Sequence, residues 1–583
     1  MPAGFPSAQI GHAAIVGIDD AFCTDRYNRY GPFGYGQISS EHVRDWQRPV
    51  SRPEWSSVDW KQLQDDCFNN NQNRFQTGSS QSEERVKRQL SAQLSKPDSS
   101  PAKVRDTLSD NQTTREQLTV ISPQRYHPRT ALLVRTWEGY TYTEDDLLNL
   151  RALNTELSLM SGGEYQTYLL VQVTEEDDNI WDDHRHYADA VKRIVPREFR
   201  DISILWSEAL IQARYPKVGN WQAQWHRYMP VQWFSEKHPE FDFVWNWEIN
   251  ARYTGNHYQF LEALAEYSRK VPRKYMWEKN QRFYIPAAHG RYAEWLRDTV
   301  DTIERAVKQD GLRPVWGARP YKGTESDSIQ PPSSIELDGF RWGVGEDADL
   351  ITLQPIFDPN QTEWRHRSKI WNFVSGVSPT FSASYPGEGD CRHPGCADVP
   401  RRASIGSMIR LSKKQLHAMH LENLAGRAMH TDMWPATVAL HHGLKAVYAP
   451  HPVWVDRKWP SWYMDAVFNA DGGELAQWGQ RNDSVYNHDR EYNFAGLSYS
   501  TASEFPNTLY RRWLGWKSRD SSFLSDMGGG DYEEHWNLMS LGEHGSDSRE
   551  KKVSTRVGGN GRMCLPPMLL HPVRKMVETE NEL

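Results

Sequence analysis

The sequence predicts an α/β protein, with a mostly parallel mixed sheet flanked by helices. Three observations predict it. TALLVRTW at 130–137 is a compact apolar run rich in β-formers, an amphipathic segment follows it, and YQTYLLVQV at 165–173 is a second apolar run. Strand, helix and strand joined by short connections imply a parallel pair, because parallel neighbours need a crossover.

Each element has its own signal. After the first strand, Thr143 and Asp146 make a capping-box-like start to a helix. Leu150, Leu153, Leu157 and Met160 then recur at steps of three and four, and Gly162 with Gly163 ends the helix. His184 to Val195 reads as helical, ISILWS as a short strand, and WHRYMPVQWFSEKHP as an amphipathic helix. FDFVWNWEIN at 241–250 is a buried strand that breaks into a polar turn, and DADLITLQPIFDP at 347–359 is a further strand. PATVALHHGLK, with Pro435 at its start and Gly443 near its end, is a short helix feeding the strand AVYAPHPVW.

A chain of 583 residues is long enough for two or three domains. Composition divides it into an N-terminal segment, 1–68, expected to pack on the core; a polar linker, 69–125, expected to be disordered; the main α/β domain, 126–455; and a C-terminal extension, 456–583. The linker is poor in aromatics and has too little apolar surface for a core, with one weak helix expected at Glu84 to Leu94.

The formal net charge of -8 argues against a general nucleic-acid binder, which would carry a basic surplus. No run approaches the roughly 18 apolar residues of a membrane helix, and the N-terminus lacks the basic start of a signal peptide. The 25 Trp and 26 Tyr suit stacking on sugars or bases, but most of them are accounted for by core filling. Five cysteines do not suggest a disulfide scaffold. Cys391 and Cys396 bracket a loop where a local disulfide fits an oxidising lumen, and His393 alone adds too little for zinc. The sequons at Asn111, Asn360 and Asn482 are too few to decide anything.

The end of FDFVWNWEIN is the most informative place, because open α/β sheets bind ligands beyond the carboxyl ends of their strands. Glu248 and Asn250, two apart on an extended chain, project to one side and could grip Mn²⁺ or Mg²⁺ between diphosphate oxygens. The competing reading is a polar strand end bonded into its own turn. Asp432, just before a helix start, is a candidate general base; on position alone it is a helix cap. His571 after MCLPPMLL is a candidate ligand, against the commoner role of a packed histidine. Arg135 at the end of the first strand could meet phosphate or base, or pair with a carboxylate. His441 and His442 read as packing residues. Phosphate-binding, zinc-protease, hydrolase and dinucleotide signatures are absent in the right context.

Taken together, TALLVRTWEGY, HPEFDFVWNWEINARYTGNHYQF, WPATVALHHGLKAVYAPHPVW and CLPPMLLHPVRK resemble a fungal family catalogued as domain of unknown function 3405, over about residues 12–575. The layout in turn looks like a GT-A, Rossmann-like glycosyltransferase, distantly similar to the fungal α-1,2-mannosyltransferases. That resemblance puts Glu248 and Asn250 at the fold's acidic metal motif, Asp432 at its second acidic motif, and His571 at a C-terminal metal-binding histidine. It implies a Mn²⁺ or Mg²⁺ cofactor, a nucleoside diphosphate sugar donor, and a glycan, protein or small-molecule hydroxyl acceptor. Asn250 departs from the pattern, since an amide ligates a hard cation without charge. The family tends to carry a membrane anchor that this sequence does not show. The implied location is the Golgi or secretory lumen if an anchor has been lost, and otherwise the cytoplasm. Two alternatives stand beside the enzyme: an inactive sugar-binding or scaffold protein that keeps the fold, and a tailoring glycosyltransferase of fungal secondary metabolism.

Overall fold

Near-continuous apolar runs suit strands covered on both faces, and the runs at 130–137, 165–172 and 243–248 are buried in this way. The computed structural model describes residues 6–35, 54–75, 127–174, 180–181, 183–273, 282–309, 341–373, 391, 394–396, 399–469, 485, 494, 496–500, 503–515 and 563–573. The strands among them are β1 (Thr130–Trp137), β2 (Tyr165–Gln172), β3 (Ser203–Trp206), β4 (Phe243–Glu248), β5 (Arg252–Tyr253), β6 (Leu350–Thr352), β7 (Ile370–Trp371), β8 (Ile409–Ser412), β9 (Ala428–Met429), β10 (Ala446–Tyr448) and β11 (Leu569–Leu570).

Seven of them form one sheet in the order β10-β6-β8-β4-β1-β2-β3. From β3 to β4 every neighbouring pair is parallel, β8 runs antiparallel to both β4 and β6, and β10 is parallel to β6. This is the mixed, mostly parallel α/β sheet that the sequence predicts. The expected strands at 347–359 and 446–454 are shorter than their apolar runs, covering only Leu350–Thr352 and Ala446–Tyr448. Pro355 and Pro450 lie just beyond, and a proline cannot donate to a ladder.

Helices pack on the sheet as the spacings require. Thr143 and Asp146 close a capping box on the helix Glu144–Leu153, which continues into a π-helical turn at Asn154–Leu159. Gly163 follows at φ +88°, and a Cβ there would lie 2.8 Å from the Cα of Phe68, so this position needs glycine on two counts. Phe68 belongs to the helix Trp60–Asn70, which is followed by a 3₁₀ turn at Gln72–Arg74. Residues 69–75, assigned by composition to the polar linker, are thus ordered: Phe75 is buried against Phe68, beneath the Arg129 guanidinium. The remainder of that segment, with the expected helix at Glu84 to Leu94, lies outside the described residues, as do Asn111, His393 and Asn482.

The ends of the chain close on the core. Ile10 bridges to Val453, and Ile10, Ala13, Val16 and Trp60 join the main apolar cluster. Cys391 pairs with Cys396, as the loop suggested. A second disulfide, Cys23 to Cys564, spans 541 residues, and no local spacing announces it. Beside it Thr24 bridges to Leu565, and β11 pairs antiparallel with β5. No helix among the described residues is long and apolar enough to cross a membrane.

Candidate active site

The site is assembled at the carboxyl ends of β1 and β4. These strands are register neighbours, with Arg135 opposite Glu248. At Glu248 the strand stops: the Ala251 N–H donates to the Glu248 carbonyl at 3.1 Å, closing a tight turn over 248–251. The Glu248 side chain keeps 21% of its surface. Its Oε1 accepts from Arg135 Nη2 at 3.2 Å, and its Oε2 lies 2.7 Å from His571 Nε2.

His571 is brought in from the far end of the chain. The β5–β11 ladder, the His571 N–H on the Ser498 carbonyl at 2.9 Å, and the Val573 N–H on the Asn250 carbonyl at 2.8 Å fix its backbone. Its Nδ1–H donates to the Ser500 carbonyl at 2.6 Å. The ring is therefore held between the Ser500 carbonyl and the Glu248 carboxylate. Burial pushes the Glu248 carboxyl up, but His571, Arg135 and Arg227 outweigh it and hold the group well below the usual carboxylate range.

Asp432 lies in the turn after β9, ahead of the helix Trp434–His441. That helix takes no side-chain cap, so Asp432 is not serving as one. Its Oδ1 is buried without a hydrogen bond, and Arg227 Nη1 stands 3.9 Å from it. Burial raises its pKa, Arg227 and the Gly406 N–H pull it down, and the Glu248 charge raises it, so the net shift is upward. Glu248 and Asp432 thus feel each other across Arg227. Gly406 sits close by at φ +144°, where a Cβ would stand 3.3 Å from Tyr499 Oη. Behind Asp432, His430 stacks on His366 with ring centres 4.4 Å apart. Burial, with Arg227 and Lys369 nearby, pushes the His430 pKa well below the usual histidine range, and its Nδ1 accepts the Asp432 N–H at 3.2 Å.

Asn250 is placed differently. The turn at 249–250 ends the strand alternation that would have set it beside Glu248, and it lines a separate cleft of about 240 Å³ with Trp137, Tyr140, Asp145, Arg252 and Arg511. Its Oδ1 is buried and unpartnered. His441 and His442 bond the Pro400 carbonyl and Glu422, as packing residues do.

The chain matches the family described as protein of unknown function (DUF3405) over residues 23–575. It belongs to the DUF3405 family. The DUF3405 match takes in both ends of the site, from Cys23 of the long-range disulfide to His571. No curated protein matches the chain.

Of the residues singled out in the sequence, Arg135, Glu248, Asp432 and His571 are brought together, and Asn250 lies in the neighbouring cleft. Arg227 and Tyr499 were not singled out, nor was Tyr228, whose hydroxyl donates to the Gly406 carbonyl at 3.4 Å. Arg227 lies in the segment read as an amphipathic helix, but the helix begins only at Met229, and nothing in the pattern singles the arginine out. Tyr499 reaches the site only because residue 499 bridges to His571.

The side chains here fall short of a complete shell for a divalent cation. Among the described residues no group of three or more His, Cys, Asp or Glu side chains could hold a metal. The chain therefore offers Glu248 and His571, with the anchored Nδ1 typical of a ligating imidazole. Most of the coordination shell would come from phosphate oxygens and water, which is how Mg²⁺ is commonly held.

Proposed function

We propose that this DUF3405 protein is a glycosyltransferase of GT-A type, moving a sugar from a nucleoside diphosphate sugar to a hydroxyl acceptor with the aid of Mn²⁺ or Mg²⁺. The supporting observation is the Glu248–His571 pair at the carboxyl ends of two central parallel strands, with Asp432 across Arg227 from it. Glu248 and His571 would hold the cation, with Asn250 close in sequence at the turn. A cation held there would supply positive charge to offset that of the departing diphosphate.

The other steps belong to side chains of the chain. Arg135 orients Glu248 through its Nη2 hydrogen bond, and the Ser500 carbonyl fixes the His571 ring. If the transfer inverts configuration, Asp432, with its carboxyl pKa raised by burial and its Oδ1 unbonded, takes the proton of the acceptor hydroxyl as the new sugar–oxygen bond forms and the bond to the diphosphate breaks. The deciding measurement is nucleotide-sugar hydrolysis with and without Mn²⁺, for the wild type and Glu248→Ala. A metal-dependent rate that collapses in the variant is expected; equal, metal-independent rates overturn the reading.

The placement of Asn250 in a separate cleft favours one rival, a catalytically inactive sugar-binding protein. Calorimetry separates them: that rival binds glycans but shows no Mn²⁺-dependent affinity for UDP or GDP.

A further inference from the structure

Two guanidinium groups stand at this site with most of their hydrogen-bonding capacity unused. Arg135 reaches Glu248 Oε1 through Nη2, and its Nε is buried without a partner. Arg227 has Asp432 Oδ1 as its nearest carboxylate oxygen, at 3.9 Å, and makes no hydrogen bond among the described residues. A guanidinium carries five donors, so two of them under-bonded in one place are an unusual expense for a fold. Neither is sealed in: the side chains keep 22% and 23% of their surface. They belong to one site: Arg135 bonds Glu248, whose other oxygen meets His571; His571 bridges to Tyr499, whose Oη lies against Gly406, and the Gly406 N–H bonds Asp432 beside Arg227.

The two carboxylates do not relieve this. Glu248 meets Arg135 with one oxygen and His571 with the other, and makes no hydrogen bond to Arg227. Asp432 stays beyond hydrogen-bond distance. What the pair lacks is a ligand with several acceptor oxygens and more than one negative charge. Planar guanidinium forks match phosphate oxygens two at a time, and two forks match adjacent phosphoryl groups.

We infer that Arg135 and Arg227 form a diphosphate clamp that binds the pyrophosphoryl group without a divalent cation, with Glu248 occupying the Arg135 fork until the anion arrives. The identity of the ligand as the donor's diphosphate rests on the proposed glycosyl transfer; the clamp itself does not need turnover. Glu248 then has two opposed effects: it supplies a ligand to the cation and competes with the anion for Arg135.

The test is calorimetric titration of the full chain with inorganic pyrophosphate in EDTA. The wild type should bind, with affinity falling as salt rises. Arg227→Gln and Arg135→Gln should each weaken binding at least about tenfold, as expected for loss of one charge-assisted pair, and Arg227→Lys should keep part of it. Glu248→Gln should tighten binding in EDTA, the opposite of its expected effect on metal-dependent hydrolysis. Should either arginine variant fail to fold, the wild-type and Glu248→Gln titrations still decide. Binding that appears only with Mn²⁺, or that Glu248→Gln abolishes in EDTA, overturns the clamp. Pyrophosphate binding without turnover of any nucleotide sugar keeps the clamp and sinks the transferase; Mn²⁺-dependent turnover without binding in EDTA does the reverse.

Discussion

His571 Nε2 lies 2.7 Å from Glu248 Oε2, a contact across 323 residues. The segment that carries the imidazole is tied down upstream at Cys564, whose partner is Cys23 near the opposite end of the chain. Between them the Thr24–Leu565 bridge and the β5–β11 ladder set the register. The site is thus held by the chain termini as much as by the sheet.

Breaking that disulfide should cost stability and activity together. Loss of a disulfide costs on the order of 2–5 kcal/mol, and this one guards the segment that positions His571. Cys564→Ser, or the wild type under dithiothreitol, should show a lower Tm and a reduced rate of donor hydrolysis. A fully reduced protein with an unchanged rate would show that the strand pairing alone suffices.

Asp432 offers a cleaner separation of roles. A helix cap replaced by a non-capping residue loses about 0.5–2 kcal/mol, whereas a lost general base costs roughly 10²–10⁴ in rate. Because the following helix takes no side-chain cap, Asp432→Asn should leave Tm nearly unchanged while kcat falls by about that factor. A lower Tm with undiminished kcat would assign the residue to structure.

Much of this was legible in the sequence, for physical reasons that also explain what was not. β1, β2 and β4 are apolar runs buried on both faces, so they announce themselves. Strand ends mark ligand positions in such sheets, which is why Arg135 and Glu248 could be named. The placing of Asn250 failed because the alternation rule was carried one step past the strand, into a turn. Arg227, Tyr499 and the Cys23–Cys564 link arrive by long-range packing, and a linear pattern carries no trace of it.

Acid should unfold the protein through groups whose native pKa values are low. Burial pushes the Glu156 carboxyl up, but Arg29 and His257 overcome this and hold it at about 2 against a usual 4.5. Its stabilisation is therefore present above pH 4.5 and lost as pH falls towards 2. Burial lowers His226 to about 3, and His441 and His451 to about 4, against a usual 6.5. The unfolded chain binds protons that the native histidines refuse, so their contribution is lost from pH 6.5 downward. Both effects have the same sign, and every tenfold difference in proton affinity between the folded and unfolded chain corresponds to roughly 1.4 kcal/mol. Near-ultraviolet circular dichroism should lose its native signal well before pH 3. Retention of that signal at pH 3 would falsify the account.

The turn that ends β4 depends on a buried cation. Arg252 keeps 1% of its surface and bonds Asp145 Oδ2 at 2.8 Å and Asp146 Oδ1 at 2.5 Å. It also donates to the Ile249 and Ala251 carbonyls, at 2.6 and 3.0 Å, and so fixes the backbone just after Glu248. Arg252→Ala would leave two carboxylates buried against each other and two carbonyls short of a donor. Removing one partner of a buried ion pair typically costs about 3–5 kcal/mol. The variant should show a correspondingly lower denaturant midpoint. If enough remains folded to assay, donor hydrolysis should fall as well, because Glu248 is then less well aimed. Adding Asp145→Asn and Asp146→Asn should recover much of the stability but little of the rate, since the charge conflict is removed while the turn stays unsupported. Equal recovery of both would mean that the guanidinium serves only to neutralise the two aspartates.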